Sequence, residues 1–107
     1  MLFNVSLQSS GVNVTKLVSG STWTECSAWA EGTGDSILSI TNQQQNLILN
    51  NPSSDESYVV GLKDVDTLSV SATIIYDTYA NVSTWINAQS GKTLQSIQYT
   101  KRTFVQL

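Results

Sequence analysis

Apolar and polar residues alternate from Leu2 to Gln8, which puts Phe3, Val5 and Leu7 on one face, and after Ser9-Ser10-Gly11 they alternate again from Val12 to Val18. A period of two belongs to a half-buried strand, so the first twenty residues predict a strand, a turn and a strand. Ser19-Gly20-Ser21-Thr22 then supplies a turn and an N-cap, and Glu25 three residues after Thr22 completes the form of a capping box. The helix that starts near residue 22 carries Trp23, Cys26 and Ala30 at helical spacing with Trp29 alongside, and Gly32 and Gly34 stop it. Ser36 to Thr41 returns to strand, and the alternation can be followed through Gln43-Gln44-Gln45 to Leu47-Ile48-Leu49.

The second half repeats this order. Asn50 to Glu56 is a polar linker with the only proline, Tyr58 to Lys63 and Thr67 to Tyr76 read as strands, and Asp64-Val65-Asp66 reads as the turn between them. Asp77 or Thr78 caps a helix with Tyr79, Val82 and Ile86 on its stripe and Trp85 beside it; Ser90-Gly91 closes it, and a last strand covers Thr93 to about Val105. A shift of 56 positions aligns Val12 with Leu68, Val14 with Val70, Thr22 with Thr78, Trp23 with Tyr79, Cys26 with Val82, Ser27 with Ser83 and Trp29 with Trp85. One inserted residue later, Gly34, Ile37, Ser39 and Ile40 align with Gly91, Leu94, Ser96 and Ile97.

Two tandem hairpin-helix-strand units predict one α+β domain over 1–107, with pseudo-repeats 1–50 and 57–107 and a linker at 51–56. The simplest packing is a ferredoxin-like two-layer sandwich, with both helices on one face of a single antiparallel sheet. The expected core is Val5, Leu7, Val14, Trp23, Cys26, Ile37, Ile40, Val60, Val70, Ile74, Val82, Ile86, Leu94 and Ile97. The β-branched content leaves an all-β sandwich or barrel as the rival architecture.

Charged residues are 12 % of the chain and apolar ones 40 %, a composition of neither a disordered nor a membrane protein. No apolar run reaches the roughly 18 residues that span a bilayer, and Met1-Leu2-Phe3-Asn4 lacks the basic and apolar blocks of a signal peptide. One cysteine allows no internal disulfide, which fits a reducing, cytoplasmic location. Five scattered basic residues and a net charge of −3 disfavour general nucleic-acid binding.

The absence of histidine removes the commonest general base and metal ligand, and with it any histidine-dependent triad. Cys26 lies on a helical stripe opposite Val82 in the repeat, so it reads as a small buried side chain. Asp64 and Asp66 alternate as calcium ligands do, but without the further oxygens and the glycine of such a loop they read as turn formers. Gly32-Thr33-Gly34 ends a helix rather than opening one, the wrong polarity for a phosphate cradle. These observations predict no catalytic residue, no cofactor and no metal. Asn-X-Ser/Thr triplets at Asn4, Asn13 and Asn81 carry no meaning without a secretory signal.

Exposed rings on a ferredoxin-like sheet can stack single-stranded RNA bases. Tyr58, Tyr76, Tyr99 and Phe104 fall on predicted strands, and Lys101-Arg102 is the one adjacent basic pair. Tyr58, Tyr76, Tyr99, Lys101 and Arg102 are therefore the candidate binding surface.

The terminal strands Ile37-Leu-Ser-Ile-Thr and Leu94-Gln-Ser-Ile-Gln-Tyr-Thr-Lys-Arg-Thr-Phe, each after a hairpin and a capped helix, resemble those of short uncharacterised proteins common in bacteriophages, their Bacteroidetes-type hosts and marine metagenomes. The resemblance implies a phage-associated or bacterial cytoplasmic setting and offers no catalytic residues to carry over.

Three functions follow as expectations. The first is a non-enzymatic binding or assembly module that self-associates, as a homodimer or with another protein, through a sheet face or edge. The second is a dimeric α+β barrel for a small ligand or a reaction, with Trp23, Trp29, Trp85 and the tyrosines lining an apolar cavity. The third is single-stranded RNA binding on the sheet.

Overall fold

In the computed structural model, which describes residues 1–43, 46–51 and 56–107, the predicted elements form in order and two sheets hold them. The elements are β1 (Leu2–Ser9), β2 (Val12–Ser19), α1 (Trp23–Gly32), β3 (Ser36–Asn42), β4 (Asn46–Leu49), β5 (Glu56–Asp64), β6 (Val70–Tyr76), α2 (Tyr79–Asn87), β7 (Lys92–Lys101) and β8 (Thr103–Gln106). The chain divides into two compact units, Met1–Gln44 with Arg102–Leu107, and Gln45–Lys101.

Local chemistry explains the elements. Thr22 accepts a hydrogen bond from the Glu25 N–H at 3.1 Å, and Thr78 accepts one from the Asn81 N–H at 3.4 Å, so each helix starts at the threonine that caps it. Gly34 and Gly91 follow the helices at φ +77° and +69°, backbone conformations that a side chain disfavours and that turn the chain into the next strand. The turn at Asp64 is built on that carboxylate, which accepts from the N–H groups of Asp66 at 2.9 Å and Thr67 at 3.0 Å and from the Lys92 ammonium at 3.2 Å. This is the turn role expected for it.

The expected single sheet with both helices on one face is replaced by two mixed sheets of four strands. The orders are β3-β1-β2-β8 and β4-β6-β5-β7. The stretch from Ser36 to Leu49 accounts for the difference: it is two strands, β3 in the first sheet and β4 in the second, where β4 runs parallel to β6. The last strand divides in the same way. β7 closes the second sheet against β5, and β8 runs parallel to β2 in the first. Each sheet thus gains a short parallel fourth strand, β8 from the C-terminal end in the first and β4 from just before β5 in the second. Gln44 and Gln45 of the expected continuous strand, and 52–55 of the expected linker, lie outside the described residues.

One register serves both sheets. Leu17 pairs with Phe104 and Val18 with Val105, while Leu47 pairs with Ile74 and Ile48 with Ile75, so every partner moves by 57 positions. A β-bulge lies between Ser6 and Leu7 against β3, and another between Gly61 and Leu62 against β7.

Each unit buries its own apolar cluster between sheet and helix. The first holds Phe3, Val5, Leu7, Val18, Cys26 and Ala30, with Val14, Trp29, Ile40 and Val105 packed on it. The second holds Tyr58, Val60, Leu62, Ile75 and Val82, with Ile48, Trp85, Ile86 and Ile97. Four residues expected in the core are exposed instead. Trp23 occupies the first position of α1, at the rim; Ile37 and Leu94 fall beside the bulges of edge strands; and Val70 opens β6 at the end of the sheet away from buried Tyr76.

Candidate functional site

Strand pairing at one corner of the second sheet brings three tyrosines together. Tyr58 on β5 stands opposite Tyr99 on β7, with ring centroids 5.3 Å apart and planes inclined by 55°. Tyr79, the first residue of α2, meets the same Tyr58 ring edge-on at 5.7 Å and 61°. Tyr58 is 7 % exposed, whereas Tyr79 and Tyr99 are 56 % and 50 % exposed. A single inner ring therefore supports two half-open outer ones, an arrangement favoured by the quadrupoles of aromatic rings.

Charge surrounds this trio. The Tyr58 hydroxyl donates to Glu56 Oε1 at 2.8 Å, and Glu56 pairs with exposed Lys101 in the β5–β7 ladder. Burial, aided by the hydrogen bond to the Glu56 carboxylate and its negative charge, pushes the Tyr58 hydroxyl up to about 12. Asp77 lies two residues before Tyr79. It accepts from the Asn81 amide at 2.9 Å, the Thr78 N–H at 2.7 Å and the Asn50 amide at 3.0 Å, contacts that hold its carboxyl below the usual range.

Part of the trio is scaffold. In the first unit Trp23 meets Phe3 edge-on at 6.0 Å and 69°, at the positions that Tyr79 and Tyr58 fill in the second. What the second unit adds is Tyr99, where Asn42 stands in the first, together with the hydroxyl and the carboxylate of Tyr58 and Glu56.

No protein-family model, no curated protein and no solved structure matches this chain.

The structure brings together three of the five residues expected on a binding surface, Tyr58, Tyr99 and Lys101. Tyr76 is fully buried on the opposite face of the same sheet: Ile75, its neighbour, belongs to the helix-side cluster, and the side chains of a strand alternate. Arg102 belongs to the first unit, where Nη1 donates to Asn4 Oδ1 at 2.9 Å and Gln43 Oε1 at 3.0 Å. Tyr79, expected on a core stripe, stands half-open beside Tyr58 instead; its place at the first helical turn, next to the cap, is the signal that it lies at the rim.

Other candidates resolve into packing. The Cys26 thiol is buried, and burial pushes its pKa up, which keeps it in the protonated, unreactive form. Trp29 and Trp85 pack on the clusters of their own units, and the Lys16 ammonium sits 5.9 Å from the centre of the Trp29 ring. Among the described residues no group of three His, Cys, Asp or Glu side chains is placed to hold a metal ion, and no helix is long and apolar enough to cross a membrane.

Proposed function

We propose that this protein is a non-enzymatic assembly module whose copies join edge to edge, β3 of one to β7 of the next, in the phage-associated or bacterial setting that the resemblance implies. The observation that carries this reading is the composition of the two long open edges. Between Lys92 and Lys101, β7 presents eight uncharged residues, Thr93–Thr100, with Leu94 49 % exposed and no proline. β3 is uncharged throughout and leaves Ile37 and Leu38 exposed. Open edges of this kind are templates for another strand, and natural proteins that avoid pairing place charges within them.

Charge complementarity selects the partner edge. An antiparallel pairing of two β7 strands about a twofold axis sets Lys92 against Lys101 of the other copy, like against like. An antiparallel β3–β7 pairing that sets Asp35 opposite Lys101 instead lays Ser36–Asn42 along the uncharged stretch from Thr100 back to Leu94, with Ile37 opposite Tyr99. Cross-strand pairs of these kinds favour association. A contact between two different edges is heterologous, so it propagates into rings or filaments rather than stopping at a twofold dimer. The recurrence of one strand register in both sheets further supports reading the chain as a tandem of a single hairpin-helix-strand-strand unit.

Sedimentation velocity across a concentration series tests the reading. Species larger than a dimer that grow with concentration support it, and a strict monomer at tens of micromolar overturns it.

A further inference from the structure

We propose that the outer edge of β2 is a strand-acceptor site. It takes, in parallel, a short uncharged segment with two adjacent apolar residues, and it accepts Thr103–Gln106 of a second copy as it accepts its own. The two sheets show equivalent places, 57 positions apart, filled by different sequences: Thr-Phe-Val-Gln beside β2 and Asn-Leu-Ile-Leu beside β6. Val105 and Ile48 pack on the helix-side clusters of their units, and half-buried Phe104 and Leu47 alternate onto the opposite faces. Just past each strand an N–H closes on the edge that the strand covers. Leu107 donates to the Ser19 carbonyl at 2.8 Å, and Asn51 donates to the Tyr76 carbonyl at 2.9 Å. Main-chain pairing of this kind supplies affinity for many sequences, and the side chains on either face supply selection.

The two places differ in what holds the strand there. β4 leads into the hairpin that it completes, whereas β8 comes last in the element order, after β7 of the other unit. β8 therefore leaves β2 without drawing another strand of the first sheet with it, and the edge it uncovers is open to a segment of the same kind. A segment on the same chain stands at an effective concentration of order millimolar. At micromolar protein each β8 consequently fills its own place, and the segment of a second copy enters at millimolar density or where the chain's own strand is weakened.

The inference goes beyond edge-to-edge assembly, in which β2 and β8 take no part, and its test keeps the two apart by using the full chain with Leu94→Lys, which blocks the β7 edge. The probe is the capped peptide of residues 102–107, titrated to millimolar concentration while backbone amides are followed by NMR. The expected result is saturable change at Leu17 and Ser19, with the signals of Phe104 and Val105 in the chain moving to unfolded positions as its own strand is displaced. Adding Val105→Ser, which weakens that strand and leaves β2 intact, is expected to tighten peptide binding about tenfold. Thermal melting checks that this variant folds, and if it does not, the titration of the Leu94→Lys chain decides alone. The peptide of residues 46–49 is expected to bind too, and the 102–107 peptide with Phe104→Lys is not. Absence of saturable change at Leu17 and Ser19, no tightening in folded Val105→Ser, or equal binding of the Phe104→Lys peptide overturns the proposal. Changes confined to β3 or β7 overturn it as well and leave edge-to-edge assembly standing.

Discussion

Phe104 stands beside Leu17 in a parallel ladder, although the strand that immediately precedes Phe104 belongs to the other unit. The link is reciprocated at Leu47 and Ile74. Each sheet is therefore completed by a short strand that pairs in parallel, β8 beside β2 and β4 beside β6.

The stability of the first sheet then depends on its last strand. Val18 is fully buried beside Val105, and Val18→Ala is expected to cost about 2 kcal/mol in urea unfolding. Removal of residues 103–107 is expected to cost more, because it also strips β2 of a hydrogen-bonded neighbour, and to release amide-exchange protection at Leu17 and Ser19, whose backbone groups face β8. Unchanged protection there would contradict the pairing.

At the bulge in the second sheet, Gly61 has no room for a side chain. A Cβ at this position would lie 2.6 Å from Ser96 Oγ, closer than side-chain carbons approach. Gly61→Ala is expected to destabilise by about 1 to 3 kcal/mol, and Gly61→Ala with Ser96→Ala to recover most of that loss. Additive losses in the double-mutant cycle would show that the contact is not the cause.

These two features mark where the sequence is legible and where it is not. The hairpins, both threonine caps and the glycines that end the helices follow from local patterns, and the core positions Val5, Leu7, Cys26, Val60, Ile74 and Val82 follow from periodicity. Four-residue strands such as Asn46–Leu49 and Thr103–Gln106 have no partner written in them, because parallel pairing is set by contacts distant in sequence. The same gap separates the candidate tyrosines: the period of two shows that Tyr58 and Tyr76 alternate with their neighbours, but only the β5–β6 register places them on opposite faces.

Asp64 ties part of the stability to acid. Backbone N–H groups of Thr67 and Asp66, then Lys92, hold its carboxyl down to about 2. A carboxyl depressed by folding stabilises the fold above its ordinary value near 3.8, and the contribution disappears as pH falls through that value towards 2. Urea midpoints between pH 5 and about 2 are expected to fall less steeply for Asp64→Asn than for the parent chain. Identical slopes would remove Asp64 from the account.

Tyr58 produces the opposite dependence in base. Its hydroxyl, raised to about 12, stays protonated in the folded chain where it ionises in the unfolded one. Stability is then complete below the ordinary value of 10 and declines as pH rises from there towards 12. Tyr58→Phe should flatten this alkaline decline, and its persistence in that variant would place the cause elsewhere.

Mixing two edge variants isolates the β3–β7 pairing. Leu38→Lys blocks β3 and leaves β7 open; Leu94→Lys blocks β7 and leaves β3 open. Measured by light scattering, each variant alone should be a monomer, because head-to-tail growth needs both edges, and an equimolar mixture should form a dimer and nothing larger. Dimers of the Leu38→Lys variant alone, or a mixture that stays monomeric while the parent chain assembles, would contradict β3–β7 pairing.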